Sequence, residues 1–406
     1  MTKAKILYIH HRPELGGAPV SLGGLIGALD RRRFEPFVYC PPGPAELLFR
    51  ETGATVITGP VAGFTHIWAS YYSGLRWLLF ARELTQLPTA AVRLTQTLRH
   101  TRFDIVHLND SPLVYSALLA RWAGSPVVWH LRSAFAHGGL DARGRALGRL
   151  IDATADAVIA IDEDVARSFS GRMPVNIVHN SVDLERFTPA PSAEAKRRLG
   201  LRDDLVSVGL FGYLYAKKGW PDFLAAARRL VRRGVPAQFL IVGGGVRSTE
   251  FFETMQGRLL AATGLTADEE QRARDAVRAF GIEDRVHFLP FSSDPRDLYW
   301  ALDIVTFPNR GEGLGRAVIE ASACGRPIVA SGSLSGAGLV DADATGRLVP
   351  RRSPDALAAV LEELVLDEPL RRELGKNARR HAEERFDAER NGRAVMDVYE
   401  KVLAQT

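Results

Sequence analysis

The chain of 406 residues has only two cysteines, Cys40 and Cys324, which lie far apart in the sequence. Two such cysteines suggest no disulfide framework, and this usage is typical of a protein of the reducing cytoplasm. The sequence also has no run of 18 uncharged apolar residues, so we expect no transmembrane helix. Its first apolar stretch, AKILYIH, is short and runs into charged and glycine residues, which predicts a strand and not a signal peptide.

Several sequence motifs are missing, and each absence excludes or disfavours a function. There is no GxGxxG fingerprint, which disfavours a dinucleotide oxidoreductase. There is no lysine-rich tail and no zinc spacing, so nucleic acid is a poor candidate partner. No Asp-rich metal motif is evident, and we expect neither a metal nor another cofactor. The net charge is +5, and residues 1–190 hold 20 lysines and arginines against 16 acidic residues. This excess fits an anionic small substrate or an anionic membrane surface.

Apolar runs alternate with amphipathic stretches of helical length along the whole chain. The runs are rich in β-branched residues and lack strict alternation, as expected for strands buried on both faces of a parallel sheet. They are KILYIH, FEPFVYC, TVIT, DIVHLN, PVVWHLR, AVIAID, VNIVHN, LVSVGLFG, AQFLIVG, RVHFLP, DIVTFP and PIVAS. The chain is also too long for one ordinary core. These features predict an α/β protein with two doubly wound, Rossmann-like domains and a ligand site in the cleft between them.

We place the domains at residues 1–184 and 185–385, followed by a helix at 386–406 that packs back toward the first domain. The boundary falls in DLERFTPAPSAEAK, where prolines and small polar residues interrupt the strand and helix pattern. The last stretch, AERNGRAVMDVYEKVLAQT, is predicted as a helix that follows the completed second sheet.

The first candidate motif is HRPELGGAPVSLGGLI, which follows the first strand. Gly16 and Gly17 allow a ligand to approach backbone N–H groups closely, and a helix that begins near Pro19 directs its positive end to the same place. The motif predicts an anion-binding turn. A plain tight turn between strand and helix is the alternative.

The second motif, LFGYLYAKKGWPDFL, follows the first strand of the second domain. Lys217 and Lys218 lie in the predicted loop, Gly219 ends it, and Pro221 lies in the first turn of the next helix. A lysine in such a loop can reach a phosphate held at the helix end. The alternative is a solvated pair of surface lysines.

The third motif is GEGLGRAVIEASACGRPIVAS, which begins in the loop after DIVTFP. Gly313 and Gly315 expose backbone N–H groups at a helix start and so predict a second phosphate site. Glu312 lies in this loop, and Glu320 lies in the helix within an otherwise apolar run. The carboxylates predict contacts to vicinal hydroxyls of a ribose or hexose. The alternative is a capping role for Glu312 and a solvated position for Glu320.

Taken together these motifs resemble the GT-B glycosyltransferases of family 4, which are retaining enzymes that use nucleotide-sugar donors. The resemblance covers nearly the whole chain: the GG turn, VVWHLRS, VHNSVDLERF, KKG, VHFLP, the E-x7-E spacing and a GRL turn at Gly346. It implies an acceptor-side N-terminal domain and a donor-binding C-terminal domain.

The resemblance also implies roles for individual residues. Glu312 matches the family's glutamate at the donor sugar, Glu320 matches the one at the ribose, and Lys218 matches the lysine at the diphosphate. His130 matches the histidine near the reacting sugar, although a lone histidine that ends a strand can also be structural. The donor loop further includes Leu314 and Gly315, and the glycine loop at Gly16 and Gly17 matches the family's diphosphate contact.

One position departs from the family pattern. Tyr213 stands where family members often carry an arginine that contacts the diphosphate. Arg316 follows Gly315 at the helix start, where its guanidinium can replace that contact with two hydrogen bonds. The alternative is an Arg316 side chain that points into solvent.

The function that follows is transfer of a hexose, with retention, from a nucleotide diphosphate sugar to a glycan, a glycolipid or another acceptor, in cell-surface polysaccharide or glycoconjugate synthesis. Front-side attack assisted by the leaving phosphate is the mechanism that the resemblance implies. Two alternatives are a nucleotide-sugar 2-epimerase and a non-catalytic nucleotide-sugar-binding protein.

The stretch FTHIWASYYSGLRWLLF, residues 64–80, holds 6 of the chain's 34 aromatic residues. Trp68, Tyr72, Leu75 and Leu79 form a helical stripe beside Arg76, a pattern that suits a membrane interface. We therefore expect a cytoplasmic enzyme that contacts the inner face of the membrane peripherally through this stretch. An ordinary core helix is the alternative. The long segment 244–277 suggests no chemistry.

Overall fold

A computed structural model describes residues 3–63, 77–135, 142–245, 249–264, 266–310, 315–331 and 339–405. The chain divides into two compact units. The first unit comprises Met1–Ser181 and Phe386–Thr406, and the second comprises Val182–Arg385. The first unit thus ends at Ser181, whereas the predicted boundary follows residue 184. Across the described ranges, no helix is both long enough and apolar enough to cross a bilayer.

The first unit contains a seven-stranded sheet with the strand order β3-β2-β1-β4-β5-β6-β7, and each neighbouring pair is parallel. The strands are β1 (Ala4–Ile9), β2 (Phe34–Cys40), β3 (Thr55–Thr58), β4 (Ile105–Asn109), β5 (Val127–Leu131), β6 (Ala157–Ala160) and β7 (Val175–Ile177). The helices are α1 (Gly17–Gly27), α2 (Pro44–Glu51), α3 (Trp77–His100), α4 (Val114–Trp122), α5 (Ala142–Thr154), α6 (Glu163–Ser168) and α16 (Ala388–Leu403).

Successive residues of β1 belong to two different hydrophobic cores, as strand geometry requires. Ile6 and Tyr8 belong to the core that includes α1, α2 and α16, whereas Leu7 and Ile9 belong to the core that includes α3, α4 and α5. Helices therefore cover both faces of the sheet, which explains why its strands are apolar without alternation. The C-terminal helix α16 is part of the first unit's core, to which it contributes Tyr399 among other residues.

The second unit contains a six-stranded parallel sheet with the order β10-β9-β8-β11-β12-β13. Its strands are β8 (Val206–Phe211), β9 (Ala237–Gly243), β10 (Val286–Pro290), β11 (Ile304–Phe307), β12 (Ile328–Ser331) and β13 (Gly346–Val349). The helices are α7 (Ser192–Arg198), α8 (Trp220–Arg232), α9 (Thr249–Glu253), α10 (Met255–Ala262), α11 (Glu269–Phe280), α12 (Arg296–Ala301), α13 (Arg316–Ala323), α14 (Pro354–Leu366) and α15 (Glu368–Arg385).

The prediction of two doubly wound α/β domains is confirmed. All twelve predicted strands are present, and a thirteenth, β13, was not predicted. The expectation of a turn at Gly346 was wrong because this residue opens β13 and pairs with Ile328. A Cβ at Gly346 would lie 2.1 Å from the Ile328 carbonyl oxygen, so glycine here allows close packing of strands.

Two predicted segments are only partly within the described residues. Of the aromatic stretch 64–80, residues 64–76 lie outside them, and Trp77 begins α3. Of the long segment 244–277, the described residues form α9, α10 and most of α11. Thr254 caps α10 by accepting a hydrogen bond from Gly257, and Asp268 caps α11 by accepting one from Gln271.

Candidate functional site

In the second unit, the KKG loop follows β8 as predicted. Ala216–Lys218 form one turn of 3-10 helix, and Gly219 follows with a φ of +85° before α8 begins at Trp220. Pro221 lies in the first turn of α8, where its missing N–H costs no hydrogen bond. The Lys217 side chain is exposed, and the Lys218 side chain is half-buried.

The KKG loop packs directly against the loop that follows β11. A Cβ at Gly219 would lie 1.9 Å from the Pro308 carbonyl oxygen, so only glycine allows this approach. The Arg310 backbone N–H donates to the Lys217 carbonyl at 2.8 Å. The Arg310 guanidinium also forms two hydrogen bonds, of 2.8 and 2.6 Å, with the buried carboxylate of Asp222 in α8. These contacts hold two of the predicted ligand loops together.

Lys218 carries a charge that the described residues leave unsatisfied. Burial lowers the pKa of its ammonium below the usual value. Within the described ranges, its Nζ forms no hydrogen bond and no ion pair. An anion bound beside this ammonium would offset the cost of burying it, which is the behaviour expected of a phosphate ligand.

Glu320 lies in the second turn of α13, and only 8% of the residue is exposed. Its Oε2 accepts a hydrogen bond of 2.8 Å from the Tyr299 hydroxyl, and its Oε1 accepts one of 2.5 Å from Arg316 Nε. The Tyr299 ring stacks on Phe211 with centroids 4.2 Å apart, so the hydroxyl has a defined position. The alternative of a solvated Glu320 is therefore wrong.

Arg316, the first residue of α13, pairs with Glu320 in this structure. Its side chain is only 13% exposed, so the alternative of an arginine that points into solvent is also wrong. Gly315 precedes it with extended backbone geometry. Glu312 and Leu314 lie outside the described residues. The proposed contact between Arg316 and a diphosphate stays a prediction.

The sequence did not predict a role for three residues in this part of the second unit, namely Tyr299, Asp222 and Arg310. Tyr299 and Glu320 are 21 residues apart, and Asp222 and Arg310 are 88 apart, so no local spacing connects them. The Arg316–Glu320 pair, by contrast, has the i,i+4 spacing that places two side chains side by side on a helix. That signal was available in the sequence.

In the first unit, the GG turn is the start of α1. Gly16 is the N-cap residue and Gly17 the first helical residue. A Cβ at Gly16 would meet no atom within 4 Å, and the φ of −179° suits any residue. Neither packing nor backbone strain therefore demands glycine at this position. No acidic residue occupies the first turn, which leaves the positive helix end available to an anion.

His130 lies near the end of β5 and is buried, with 4% of the residue exposed. Its Nδ1 lies 3.2 Å from His107 Nε2, and its Nε2 is buried without a hydrogen-bond partner among the described residues. Burial and the nearby Arg132 guanidinium lower the pKa of His130 well below its usual value. His130 is therefore a neutral imidazole at neutral pH.

His130 belongs to a larger set of polar side chains at the carboxyl ends of β1, β4 and β5. Asn109 Nδ2 lies 2.9 Å from His10 Nδ1, and Arg132 Nε donates to Asn109 Oδ1. Arg132 also donates to Asn180 Oδ1 at 2.6 Å. Burial lowers the pKa of His10 well below its usual value. The arrangement is held by hydrogen bonds and leaves the His10 Nε2 without a partner in the described part of the chain.

Asp110 supports the same region with an unusual backbone. Its φ is +109°, which is rare for a non-glycine residue. Its carboxylate accepts hydrogen bonds from the Ser111 backbone N–H at 2.8 Å and from the Ser133 hydroxyl at 3.0 Å. Such strain persists where surrounding contacts determine the conformation, and it is typical of functional sites. As for metals, the described ranges contain no cluster of three histidine, cysteine or acidic residues suited to bind one.

Comparison with known proteins agrees with this arrangement. Residues 15–186 match the family described as "Glycosyltransferase Family 4", and residues 192–381 match "Glycosyl transferases group 1". The D-inositol 3-phosphate glycosyltransferase of Acidothermus cellulolyticus is 31% identical over 342 residues, which is 78% of this chain and 71% of that protein. The enzyme of the same name from Saccharomonospora viridis is 31% identical over 236 residues, 57% of this chain and 51% of that protein.

Solved structures show the same fold. HepE of Anabaena, crystallised with UDP-glucose, aligns with a TM-score of 0.79 at 21% identity and covers 98% of this chain and 99% of its own. Sucrose-phosphate synthase of Thermosynechococcus elongatus aligns with a TM-score of 0.76 at 20% identity and full coverage of both chains. The chain spans about half the length of several curated relatives that it matches. On the sequence matches and the fold, the chain belongs to the glycosyltransferases of family 4 and has the GT-B fold.

Proposed function

We propose that this protein transfers a hexose, with retention of anomeric configuration, from a nucleoside diphosphate sugar to a hydroxyl-bearing acceptor. The observation that carries the proposal is the pairing of two loops in the second unit. They place the ammonium of Lys218, which pairs with none of the described residues, on the loop after β8, and they lead on to a buried carboxylate, Glu320, in the helix after β11. A diphosphate and a ribose are the two chemical groups that such a pair would bind.

The departing diphosphate is the main electrostatic demand of this reaction. In the proposed mechanism Lys218 and the N-terminal ends of α8 and α13 stabilise the charge that develops on the leaving group. Arg316 joins them by moving from Glu320 to a phosphate oxygen. Acceptor attack from the same face as the departing phosphate gives retention, and the phosphate oxygen takes the acceptor proton.

Glu320 is proposed to accept hydrogen bonds from the ribose. A carboxylate has about four acceptor positions, and Tyr299 and Arg316 occupy two of them. The family resemblance assigns the donor sugar to Glu312. It also implies that His130 lies near the reacting sugar, and a neutral imidazole suits a hydrogen bond to a sugar hydroxyl.

The comparisons suggest which substrates to test first. HepE was crystallised in complex with UDP-glucose, and the curated relatives are named D-inositol 3-phosphate glycosyltransferases. We would incubate the protein with a panel of UDP-, GDP- and ADP-sugars, with and without D-inositol 3-phosphate. Mass spectrometry of the products and NMR of the anomeric proton give the sugar, the acceptor and the stereochemistry. Production of a glycoside with inverted configuration contradicts retention.

The same panel separates the two alternatives. An epimerase isomerises the donor sugar without releasing it to an acceptor. A non-catalytic binding protein binds UDP or another nucleoside diphosphate but leaves every donor intact. His130→Ala is the matched variant: loss of turnover with unchanged donor affinity supports a contact to the reacting sugar, and normal turnover with poor thermal stability indicates a structural histidine.

A membrane-bound acceptor for cell-surface glycan or glycoconjugate synthesis is the second part of the proposal. It is supported by exposed aromatic side chains of α3 and α4, of which Trp77 lies within the aromatic stretch 64–80. Trp77 in α3 and Trp122 in α4 are 51% and 65% exposed, and Arg99 lies over the Trp122 ring. Exposed aromatic and basic side chains suit an interface with anionic lipid. Flotation with vesicles of anionic and of zwitterionic lipid tests this, and no flotation with either contradicts it.

A further inference from the structure

A line of hydrogen bonds connects the C-terminal helix α16 to His130 through the interior of the first unit. The Tyr399 hydroxyl, in α16, lies 2.8 Å from His107 Nδ1, and His107 Nε2 lies 3.2 Å from His130 Nδ1. The Tyr8 hydroxyl of β1 lies 3.1 Å from the Tyr399 hydroxyl. All four side chains are buried. The line has one end that lacks a partner among the described residues, the Nε2 of His130.

The direction of these hydrogen bonds decides which nitrogen of His130 carries its proton. A phenol can donate in either direction because its O–H rotates, and a neutral imidazole has one donor and one acceptor nitrogen. The Tyr8–Tyr399 end of the line therefore does not determine the direction. The direction has to come from the other end, where a group that can only donate lies beside His130.

Arg132 is that group. Its guanidinium nitrogen lies 3.5 Å from His130 Nδ1, and a guanidinium has donors and no acceptor. A proton on His130 Nδ1 would face this cation, whereas a lone pair there is attracted to it. With the lone pair on Nδ1, His107 must donate from its Nε2, and its Nδ1 then accepts from Tyr399. The proton of His130 is left on Nε2.

We propose that Arg132 holds His130 as the Nε2–H tautomer, supported by the hydrogen bonds that run from Tyr399 through His107, so that His130 offers the substrate a hydrogen-bond donor and not a base. Tyr399 and His107 are positioning residues, because neither is proposed to touch the substrate. Only the identity of the group that accepts the hydrogen bond from His130 rests on the proposed function. That group would be an oxygen of the reacting sugar or of the acceptor substrate. The tautomer itself is a property of the protein without substrate.

The tautomer can be measured directly by NMR. Protein labelled with 15N-histidine gives two-bond and three-bond proton–nitrogen correlations that distinguish a protonated imidazole nitrogen from an unprotonated one. We expect His130 and His107 each to carry the proton on Nε2. The His130 signals are assigned by their loss in His130→Gln, and those of His107 by their loss in His107→Gln. A proton on Nδ1 of His130 in the unmodified protein overturns the proposal, whatever its catalytic activity.

Tyr399→Phe tests the part played by the tyrosine. It removes one buried hydroxyl and retains the ring, so the Nδ1 of His107 loses its donor while Arg132 still faces His130. The fraction of His130 in the Nδ1–H tautomer should then rise. Tyr8→Phe is the matched control because it removes the neighbouring buried hydroxyl and leaves the Tyr399–His107 contact intact. His130 should remain the Nε2–H tautomer in Tyr8→Phe. An unchanged His130 tautomer in Tyr399→Phe overturns the supporting role of Tyr399 and leaves Arg132 as the sole determinant.

Kinetics provides a second, separate measurement once a donor is known. Tyr399→Phe should lower kcat by roughly 3- to 10-fold, the loss expected for one hydrogen bond, with the KM for the nucleotide sugar unchanged. Tyr8→Phe should retain both values. If no donor is turned over by the unmodified protein, the proposed function fails while the NMR result still decides the tautomer.

Discussion

At the carboxyl ends of their strands, the first unit gathers uncharged histidines and asparagine beside Arg132 and Asp110, whereas the candidate ligand groups of the second unit are charged. The first has His10, Asn109 and His130, and burial keeps the two histidines uncharged. The second has Lys218 and the Arg316–Glu320 pair. The two sheets share a doubly wound architecture, so the difference arises from a few side chains at strand ends and in the loops and helices that follow them.

This difference matches two kinds of ligand. Neutral donors and acceptors suit hydroxyl groups, whose hydrogen bonds carry no net charge. Ammonium and guanidinium groups at helix starts suit phosphates. We therefore propose that the first unit binds sugar hydroxyls and the second binds the nucleoside diphosphate, and measurements on either unit can contradict this.

Acidification should produce the largest effect, and it should act on the first unit. Burial lowers the pKa of His10, His107 and His130 well below 6.5, so below about pH 6.5 the unfolded chain binds protons that the folded unit does not. Stability therefore falls as pH falls. Between pH 7.5 and 5.5 the loss is about 1.4 kcal/mol for each histidine, or roughly 4 kcal/mol for these three. His11, whose pKa burial lowers to about 4, adds to the loss in the same direction.

Urea unfolding at the two pH values, followed by pulsed hydrogen exchange of separate peptides, measures this loss. Peptides from β4 and β5 report the first unit, and peptides from β8 and β9 report the second. A larger acid loss in the second unit contradicts the comparison. His107→Gln should reduce the acid-induced loss of unfolding free energy of the first unit by the contribution of one histidine, about 1.4 kcal/mol.

Gly219→Ala should have the next largest effect, confined to the second unit. The new methyl group would lie 1.9 Å from the Pro308 carbonyl oxygen, and the backbone has a φ of +85°. We expect a loss of about 2–4 kcal/mol in unfolding free energy from overpacking and backbone strain, and weaker binding of the proposed nucleoside diphosphate, for which UDP is the probe. Gly234→Ala is the control, because Gly234 has a φ of +71° with no atom within 4 Å of the added Cβ.

Gly234→Ala should cost only about 1–2 kcal/mol, the strain of a left-handed alanine, and should leave UDP binding intact. Equal losses of stability in the two variants would mean that the contact between the KKG loop and Pro308 contributes nothing. Chemical denaturation and calorimetric titration with UDP provide both measurements.

Arg316→Ala tests whether the charged groups of the second unit bind phosphate. It should weaken UDP binding by roughly 1.5–3 kcal/mol, the range for hydrogen bonds to charged groups. Uridine should bind both proteins alike. Arg316→Lys keeps the charge but loses the paired donors, and its affinity should lie between the two. If the Ala variant and the unmodified protein bind UDP with equal affinity, Arg316 does not contact the phosphates and pairs only with Glu320.

The sequence was sufficient to predict twelve of the thirteen described strands because they are continuous apolar runs between turn residues. It failed at β13, where Arg347 and Gly346 interrupt the apolar pattern of a short edge strand. It located His130 at the end of a strand, but it could not show that Tyr399 lies beside His107, 292 residues away. Contacts of that kind depend on tertiary packing, and a single sequence contains no local signal for them.

Tyr299→Phe should have the smallest effect, and it tests a neutral group among the charged ones of the second unit. The variant keeps the ring stacked on Phe211 and removes only the hydroxyl that donates to Glu320 Oε2. One hydrogen bond to a carboxylate should contribute about 1.5 kcal/mol to the unfolding free energy, toward the low end of the range for charged partners. Arg316 would still hold the other carboxylate oxygen.

The same variant shows whether Tyr299 orients Glu320 toward a ribose. If Glu320 binds ribose hydroxyls, UDP should bind more tightly than dideoxyuridine diphosphate, and a less firmly held carboxylate should reduce that preference by roughly two- to fivefold, less than one full hydrogen bond. Glu320→Gln is the reference variant and should reduce it further. Calorimetric titration of both nucleotides into the three proteins gives the ratios. A preference unchanged in Tyr299→Phe but lost in Glu320→Gln would show that α13 alone orients the carboxylate, and that the neutral hydroxyl contributes only to stability.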